Sequence, residues 1–212
     1  MKKKKDYTTI NFILLGVLAL LLLANQVQLM SMTGVSNSIG LVSASSVMPT
    51  GVPKIYGDEL GISYGDVSTN NPQLADQTIE VMANLDRTIE LQGSDLERYI
   101  QIVSKISCEY CCGANSIIFP DGKAACGCAH SYAMRGIAKY LITEHGNEFS
   151  DGEILSELAK WKVLYFPGIM QDKADIMKEK GIDFSYVALG SNMYRGIEQG
   201  GSSNGGPMVG GC

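Results

Sequence analysis

The chain has 212 residues, of which 45% are hydrophobic and 18% are charged, a composition that supports a buried core and argues against global disorder. The net charge is −5, and since the first six residues carry four lysines and one aspartate, the remaining chain sums to −8. An acidic body does not suit a phosphate backbone, and no glycine-rich phosphate loop occurs. We therefore expect neither nucleic acid nor a nucleotide as a partner.

The first 32 residues combine a basic cluster with an apolar run. Four lysines, Lys2–Lys5, precede the apolar run Phe12–Ala24, which with its flanks approaches the roughly 20 residues of a membrane helix. Lysines on this flank favour a cytoplasmic N-terminus. The pattern predicts a single-pass anchor in the cell membrane with the main domain outside. A cleaved signal peptide is the alternative, although Leu22 is large for a position three residues before cleavage at Ala24.

Residues 33–71 are rich in Ser, Gly and Thr and show no sustained hydrophobic period, which predicts a flexible linker. Apolar residues recur at helical spacing after Pro72, where we expect the folded part to begin. Ser94 and Glu97 form a capping-box pattern that predicts a second helix, with Cys108 near its end.

A short β-hairpin is predicted between the two groups of cysteines. The β-prone Ile117–Phe119 is followed by Pro120 and Gly122, which is favourable turn chemistry. Further helices are predicted from Ala129, with His130 in the first turn, and after Ser150 with its own capping box.

The predicted fold class is mainly α, with an N-terminal transmembrane helix, a linker and then a small helical domain with one β-hairpin between two cysteine clusters. Residues 182–189 are predicted as a strand or an extended segment. The expected boundaries are 1–32 for the basic N-terminus and anchor, 33–71 for the linker, 72–195 for the Cys/His domain and 196–212 for a glycine-rich tail ending in Cys212.

The segment 108–130 contains five of the six cysteines and one of the two histidines. Its pattern, C-x2-C-C followed by C-x-C-x-H, brings thiols and an imidazole to both ends of one tight turn, and such ligands suit zinc. The N-terminus of the following helix would favour thiolates. The predicted metal ligands are Cys108, Cys111, Cys112, Cys126, Cys128 and His130.

The metal itself stays open at this point. Zinc is preferred, and it would make the domain a structural clasp and an interaction module for a protein partner. Because the ligands exceed one tetrahedral site, a copper or iron–sulfur carrier is the other possibility.

Two further interpretations compete with a metal. Exported domains use disulfides, so a bridge across the hairpin could staple the two cysteine groups. The Cys126-Gly127-Cys128 pair before a helix could instead exchange disulfides, which would make the protein a membrane-tethered thiol–disulfide oxidoreductase. No paired carboxylates or Ser/His/Asp arrangement stands out, so no catalytic residue is predicted.

The segments CCGANS and ACGCAHS resemble the bacterial PCYCGC-motif (lipo)proteins, and the chain is similar to archaeal membrane-anchored proteins with CEYCCG and ACGCAHS-type segments. The likeness depends on Cys126-Gly127-Cys128 with His130 close by. The Pro and Tyr of the bacterial motif are absent, and an apparent transmembrane segment replaces the lipobox. The resemblance implies an exported, membrane-attached, largely helical metal-binding module.

Overall fold

A computed structural model describes residues 47–108, 113–199 and 208–210. Within these ranges the chain forms seven α-helices and two 3₁₀ turns, and no extended strand is assigned, so the mainly α prediction is confirmed. The helices are α1 (Tyr56–Leu60), α2 (Pro72–Thr88), α3 (Gly93–Val103), α4 (Ala129–Glu144), α5 (Asp151–Tyr165), α6 (Pro167–Glu179) and α7 (Tyr186–Gly190), and the 3₁₀ turns are Tyr64–Asp66 and Asn192–Tyr194.

Residues 47–71, which the sequence led us to assign to the linker, pack against the helices. Val47, Tyr56 and Tyr64 are buried in the core. The 3₁₀ turn starts at Ser63, whose hydroxyl accepts a hydrogen bond from the Gly65 amide. The segment carries α1 and single buried apolar residues, which give no hydrophobic period in the sequence.

Side chains cap the starts of α2, α4, α5 and α7, whereas α1, α3 and α6 begin without a side-chain cap. The Asn71 side chain accepts a hydrogen bond from Leu74 N–H at the start of α2, and the predicted box of Ser150 and Glu153 is formed at the start of α5. The predicted box at Ser94 is wrong, because the N-cap of α3 is Gln92, two residues earlier, and it makes no side-chain cap. Helix α3 also ends at Val103, before it reaches Cys108.

Helices α2 and α4 form the most extensive helix–helix contact, and α4 also packs on α5. Gly136 lies where α4 crosses α2, and a Cβ atom at this position would lie 1.9 Å from the carbonyl oxygen of Met82. The two backbones therefore approach so closely that only glycine fits at this crossing.

Two buried carboxylates tie the helices together. Asp86 of α2 accepts hydrogen bonds from Arg135 Nε at 2.9 Å and Lys139 Nζ at 2.8 Å, both on α4. Glu157 of α5 accepts hydrogen bonds from the hydroxyls of Tyr56 and Tyr64. Both carboxylates are paired, as burial of a charge requires.

His145, at the C-terminal end of α4, bridges two glutamates. Its Nε2 lies 2.8 Å from Glu59 Oε2 and its Nδ1 lies 2.5 Å from Glu148 Oε2. This histidine joins α1 to the end of α4.

The predicted β-hairpin is wrong. Ile118 and Ala124 form only an isolated antiparallel bridge. Two hydrogen bonds flank the bridge, from Phe119 N–H to the Lys123 carbonyl and from Ala125 N–H to the Ile117 carbonyl. The pairing goes no further because Ile117 N–H donates to the Ile106 carbonyl instead. The turn forms as the sequence predicted, but the ladder does not extend from it.

Two other features of the predicted fold need correction. Residues 186–190 form the short helix α7 rather than a strand, because the Ser185 hydroxyl accepts a hydrogen bond from Ala188 N–H and caps it. No helix among the described ranges has the length and apolar character needed to cross a membrane. The predicted anchor, residues 1–32, lies outside the described residues.

Candidate metal centre

Cys108, Cys128 and His130 converge on one buried point. One ligand atom from each residue lies within 4.8 Å of those of the other two. The sulfurs of Cys108 and Cys128 are 3.2 Å apart, and all three side chains are buried. The group could hold a metal ion.

The first turn of α4 positions two members of the group. Cys128 is the N-cap residue, and its sulfur accepts a hydrogen bond from Ser131 N–H at 3.4 Å. His130 follows within the first turn, with its side chain fully buried. Cys108 comes from the segment after α3, which is held in place by the hydrogen bond between Ile117 N–H and the Ile106 carbonyl.

The surroundings of Cys128 favour its thiolate. The pKa of this thiol lies well below its usual range, first because the Cys108 thiol hydrogen-bonds to its sulfur. Burial acts in the opposite direction, while the side chains of His130 and Ser131 lower the pKa further. A sulfur at a helix N-terminus also faces the positive end of the helix dipole. The thiolate is the form of cysteine that binds metals.

The two ring nitrogens of His130 differ in their surroundings. Its Nε2 lies 2.8 Å from the carbonyl oxygen of Val209, and since a carbonyl only accepts, Nε2 carries the proton. Nδ1 is buried and has no partner at hydrogen-bonding geometry in the described part of the chain. The Tyr165 ring stacks on the imidazole with centroids 4.5 Å apart. Nδ1 is therefore the nitrogen available to a metal ion.

Tyr165 closes the centre on the side of α5. Its ring is fully buried, and its hydroxyl finds no hydrogen-bond partner among the described residues. Burial raises the pKa of this hydroxyl, and electrostatic interaction with the sulfurs of Cys108 and Cys128 raises it further. Tyr165 therefore stays a neutral phenol beside the sulfurs.

Arg135 supports the turn that carries Cys126 and Cys128. Its Nη1 donates to the carbonyl of Cys126 at 2.8 Å, and its Nε pairs with Asp86. The guanidinium also lies over the ring of Tyr132. This residue fixes the backbone of the Cys126–Cys128 turn from a fully buried position on α4.

The structure brings together three of the six predicted ligands. Cys126 is buried, and its sulfur lies 3.5 Å from that of Cys128, although it is not a member of the convergent group. Cys111 and Cys112 lie outside the described residues, as does Cys212. No disulfide joins Cys108, Cys126 and Cys128 to one another.

The sequence pattern missed two contributors to this centre. Tyr165 is not among the predicted ligands, and no motif in the sequence links it to the cysteines. Val209 lies in the segment that the sequence predicted as a flexible tail, and no local pattern marks it. Both meet His130 only through the tertiary fold.

Comparisons with protein-family models, with curated proteins and with solved structures found no match for this chain. The resemblance to PCYCGC-motif proteins therefore stays a prediction. The function is argued below from the geometry of the centre alone.

Proposed function

We propose that this chain is a metal-binding module in which Cys108, Cys128 and His130 hold a zinc ion as a structural clasp. The observation that carries the proposal is the convergence of two thiols and an imidazole at one buried point, with a buried ring nitrogen that has no partner at hydrogen-bonding geometry among the described residues. An unpaired polar atom is costly in a protein interior, and a metal ion would satisfy it.

The distances suit zinc after a small adjustment. Zinc binds thiolate sulfur at about 2.3 Å, so two sulfurs of a tetrahedral site lie about 3.8 Å apart. The observed separation of Cys108 and Cys128 is 3.2 Å, so the sulfurs would move apart by about 0.6 Å to admit the ion. Cys126 is the described candidate for a fourth ligand, since its sulfur is 3.5 Å from that of Cys128.

Burial favours a clasp over a metal carrier. The exposed fractions of Cys108, Cys128 and His130 are 4%, 7% and 0%. A carrier must present its metal to a partner, whereas structural zinc sites are closed. An ion here would join the segment after α3 to the first turn of α4.

Elemental analysis of the full chain, purified anaerobically, tests the proposal. We expect about one zinc per chain, lost in Cys128→Ser and in His130→Gln. His145→Gln is the matched control, because it changes the other histidine of the chain and should keep the metal. Cobalt substitution should give thiolate-to-metal charge-transfer bands that disappear in Cys108→Ser.

The outcomes separate the possible metals. If copper or iron is bound in place of zinc, the metal-binding site is confirmed. Its function would then be metal transfer or electron transfer rather than a structural clasp. Absence of any bound metal from the wild-type chain, including after reconstitution under reducing conditions, would refute the proposal.

A dithiol redox couple is the second candidate, and the position of Cys128 favours it. A thiol with a lowered pKa at a helix N-terminus is typical of a nucleophilic cysteine, and Cys108 lies next to it. In this alternative the Cys128 thiolate attacks an external disulfide and releases one of its sulfurs as a thiolate. The Cys108 thiolate then attacks the mixed disulfide, so that the external disulfide is reduced to two thiols and Cys108 and Cys128 form a disulfide.

Thiol trapping distinguishes this candidate from the clasp. A redox couple should give a reversible two-electron transition between dithiol and disulfide in the metal-free chain, lost in either single Cys→Ser variant. A clasp should resist alkylation until a chelator is added. The low exposure of both sulfurs argues for the clasp, because a catalytic thiol must reach its substrate.

A further inference from the structure

The short segment Met208–Gly210 packs against the back of the metal centre. Val209 is buried, and its N–H donates a hydrogen bond to the Tyr165 carbonyl at 2.9 Å. Its own carbonyl accepts the bond from His130 Nε2 at 2.8 Å. Val209 therefore bonds both to His130 and to the backbone of Tyr165, whose ring stacks on His130.

Gly210 makes this close approach possible. Its φ is +84°, a conformation that glycine adopts readily and other residues rarely do. A Cβ atom at this position would lie 2.2 Å from Ile79 Cδ1 and 3.3 Å from His130 Nε2. A side chain at this position would have to displace the end of the buried Ile79 side chain, and at this φ its backbone would also be strained.

We infer that the 208–210 segment is a positioning element of the metal centre, which commits His130 to binding through Nδ1. The inference rests on the proposed metal-binding function. A neutral imidazole has one protonated nitrogen and one with a free lone pair. By accepting the hydrogen bond from Nε2–H, the Val209 carbonyl favours the tautomer with its lone pair on Nδ1, and the stacked Tyr165 ring fixes the plane of the imidazole.

Metal binding and docking of this segment are therefore coupled. Partners that orient a metal-binding histidine typically contribute about 10- to 100-fold to metal affinity. By thermodynamic linkage, the metal must increase the docking equilibrium of the segment by the same factor. The metal-free chain should accordingly release the segment more often than the loaded chain.

Gly210→Ala in the full chain tests the positioning role. It introduces both an unfavourable φ and a collision with Ile79, so we expect zinc to bind about 10- to 100-fold more weakly. The matched control is Gly181→Ala, because Gly181 also has a positive φ of +67° but nothing lies within 4 Å of its Cβ position. That variant carries similar backbone strain and should keep the wild-type zinc affinity.

A spectroscopic readout separates positioning from a general loss of structure. With ¹¹³Cd in place of zinc and ¹⁵N in the histidines, the wild-type chain should show coupling of cadmium to Nδ1 of His130, with a protected proton on Nε2. In Gly210→Ala we expect this proton to exchange rapidly and the coupling to weaken or move to Nε2. Coupling through Nε2 in the wild-type chain would overturn the inference.

Hydrogen exchange supplies a test that needs no variant. Zinc should slow exchange of the Val209 amide by about 10- to 100-fold beyond its effect on the Ile154 amide, which bonds within the capping turn of α5. Equal effects on both amides would overturn the coupling.

The results also separate this inference from the proposed function. If the wild-type chain binds no metal, the metal-binding function itself fails. If it binds zinc and Gly210→Ala binds it equally well, only the positioning role fails.

Discussion

Gly136→Ala should destabilise the fold by separating the two helices with the most extensive contact. The new Cβ would meet the carbonyl oxygen of Met82 at 1.9 Å, the amide nitrogen of Asp86 at 2.9 Å and the carbonyl carbon of Met82 at 3.1 Å. All three atoms belong to the backbone of α2, so no side-chain rotation relieves the collision. Real Cβ contacts below 3.0 Å essentially never occur, so the helices must move apart by about 1 Å.

The magnitude follows from two opposed effects. Overpacking of a well-packed core costs about 1–3 kcal/mol, and a backbone collision belongs at the upper end. Alanine recovers about 1 kcal/mol over glycine through its helix propensity. We expect a net loss of about 2 kcal/mol of unfolding free energy, which corresponds to a fall of about 4–8 °C in Tm for a chain of this size.

Denaturant unfolding followed by circular dichroism measures the effect, with Gly152→Ala as the control. Gly152 also lies in a helix, α5, but nothing is within 4 Å of its Cβ position, so this variant should be equally or more stable than wild type. A Gly136→Ala variant as stable as the wild-type chain would refute the close helix crossing.

Three further predictions concern the buried charges and the metal. Asp86→Asn should lower the unfolding free energy by about 3–5 kcal/mol in urea titrations, because it leaves Arg135 and Lys139 without their buried anionic partner. A loss below about 1 kcal/mol would show that Asp86 and its two cationic partners are solvated. Burial acts to lower the pKa of His145, but hydrogen bonds to its two glutamate partners raise it overall. The stabilisation from this histidine should therefore be complete below about pH 6.5 and disappear as the pH rises through the folded-state pKa, so wild type and His145→Gln should converge in stability at alkaline pH. A chelator should lower the Tm of the zinc-loaded chain, by an amount equivalent to about 2.7 kcal/mol when zinc had been present at 100 times its Kd; an unchanged Tm in differential scanning fluorimetry would argue against a structural role.

The helical elements with a clear period could be predicted from the sequence. The apolar stripe after Pro72 indicated α2, and the capping box at Ser150 indicated the start of α5. The hairpin could not be judged in this way, because turn chemistry at Pro120 and Gly122 determines the turn but not the partners of the flanking residues. Those partners, Ile106 and Arg135, come from other parts of the fold.

The candidate site could be predicted only in part, because some of its contacts depend on the tertiary fold. The spacing of Cys108, Cys128 and His130 within one short stretch indicated a common centre, since a turn and a helix start bring such residues together. Tyr165 and Val209 contribute through stacking and a backbone carbonyl, neither of which leaves a mark in local sequence. Burial of residues 47–71 likewise depends on contacts with distant helices, such as the bond from Tyr56 to Glu157.

Two contacts hold the centre together: that between the two sulfurs and that between His130 and Val209. They differ in how far apart their residues lie along the chain, and we expect this difference to set an order of assembly during folding. The sulfurs of Cys108 and Cys128 are separated by 20 residues, whereas His130 and Val209 are separated by 79. Closing the longer loop costs about 1 kcal/mol more in chain entropy. The thiols should therefore meet early, when α4 begins to form, and the imidazole should be locked only in the last steps. If the centre binds a metal, a chain interrupted before those steps would hold the ion through sulfur alone.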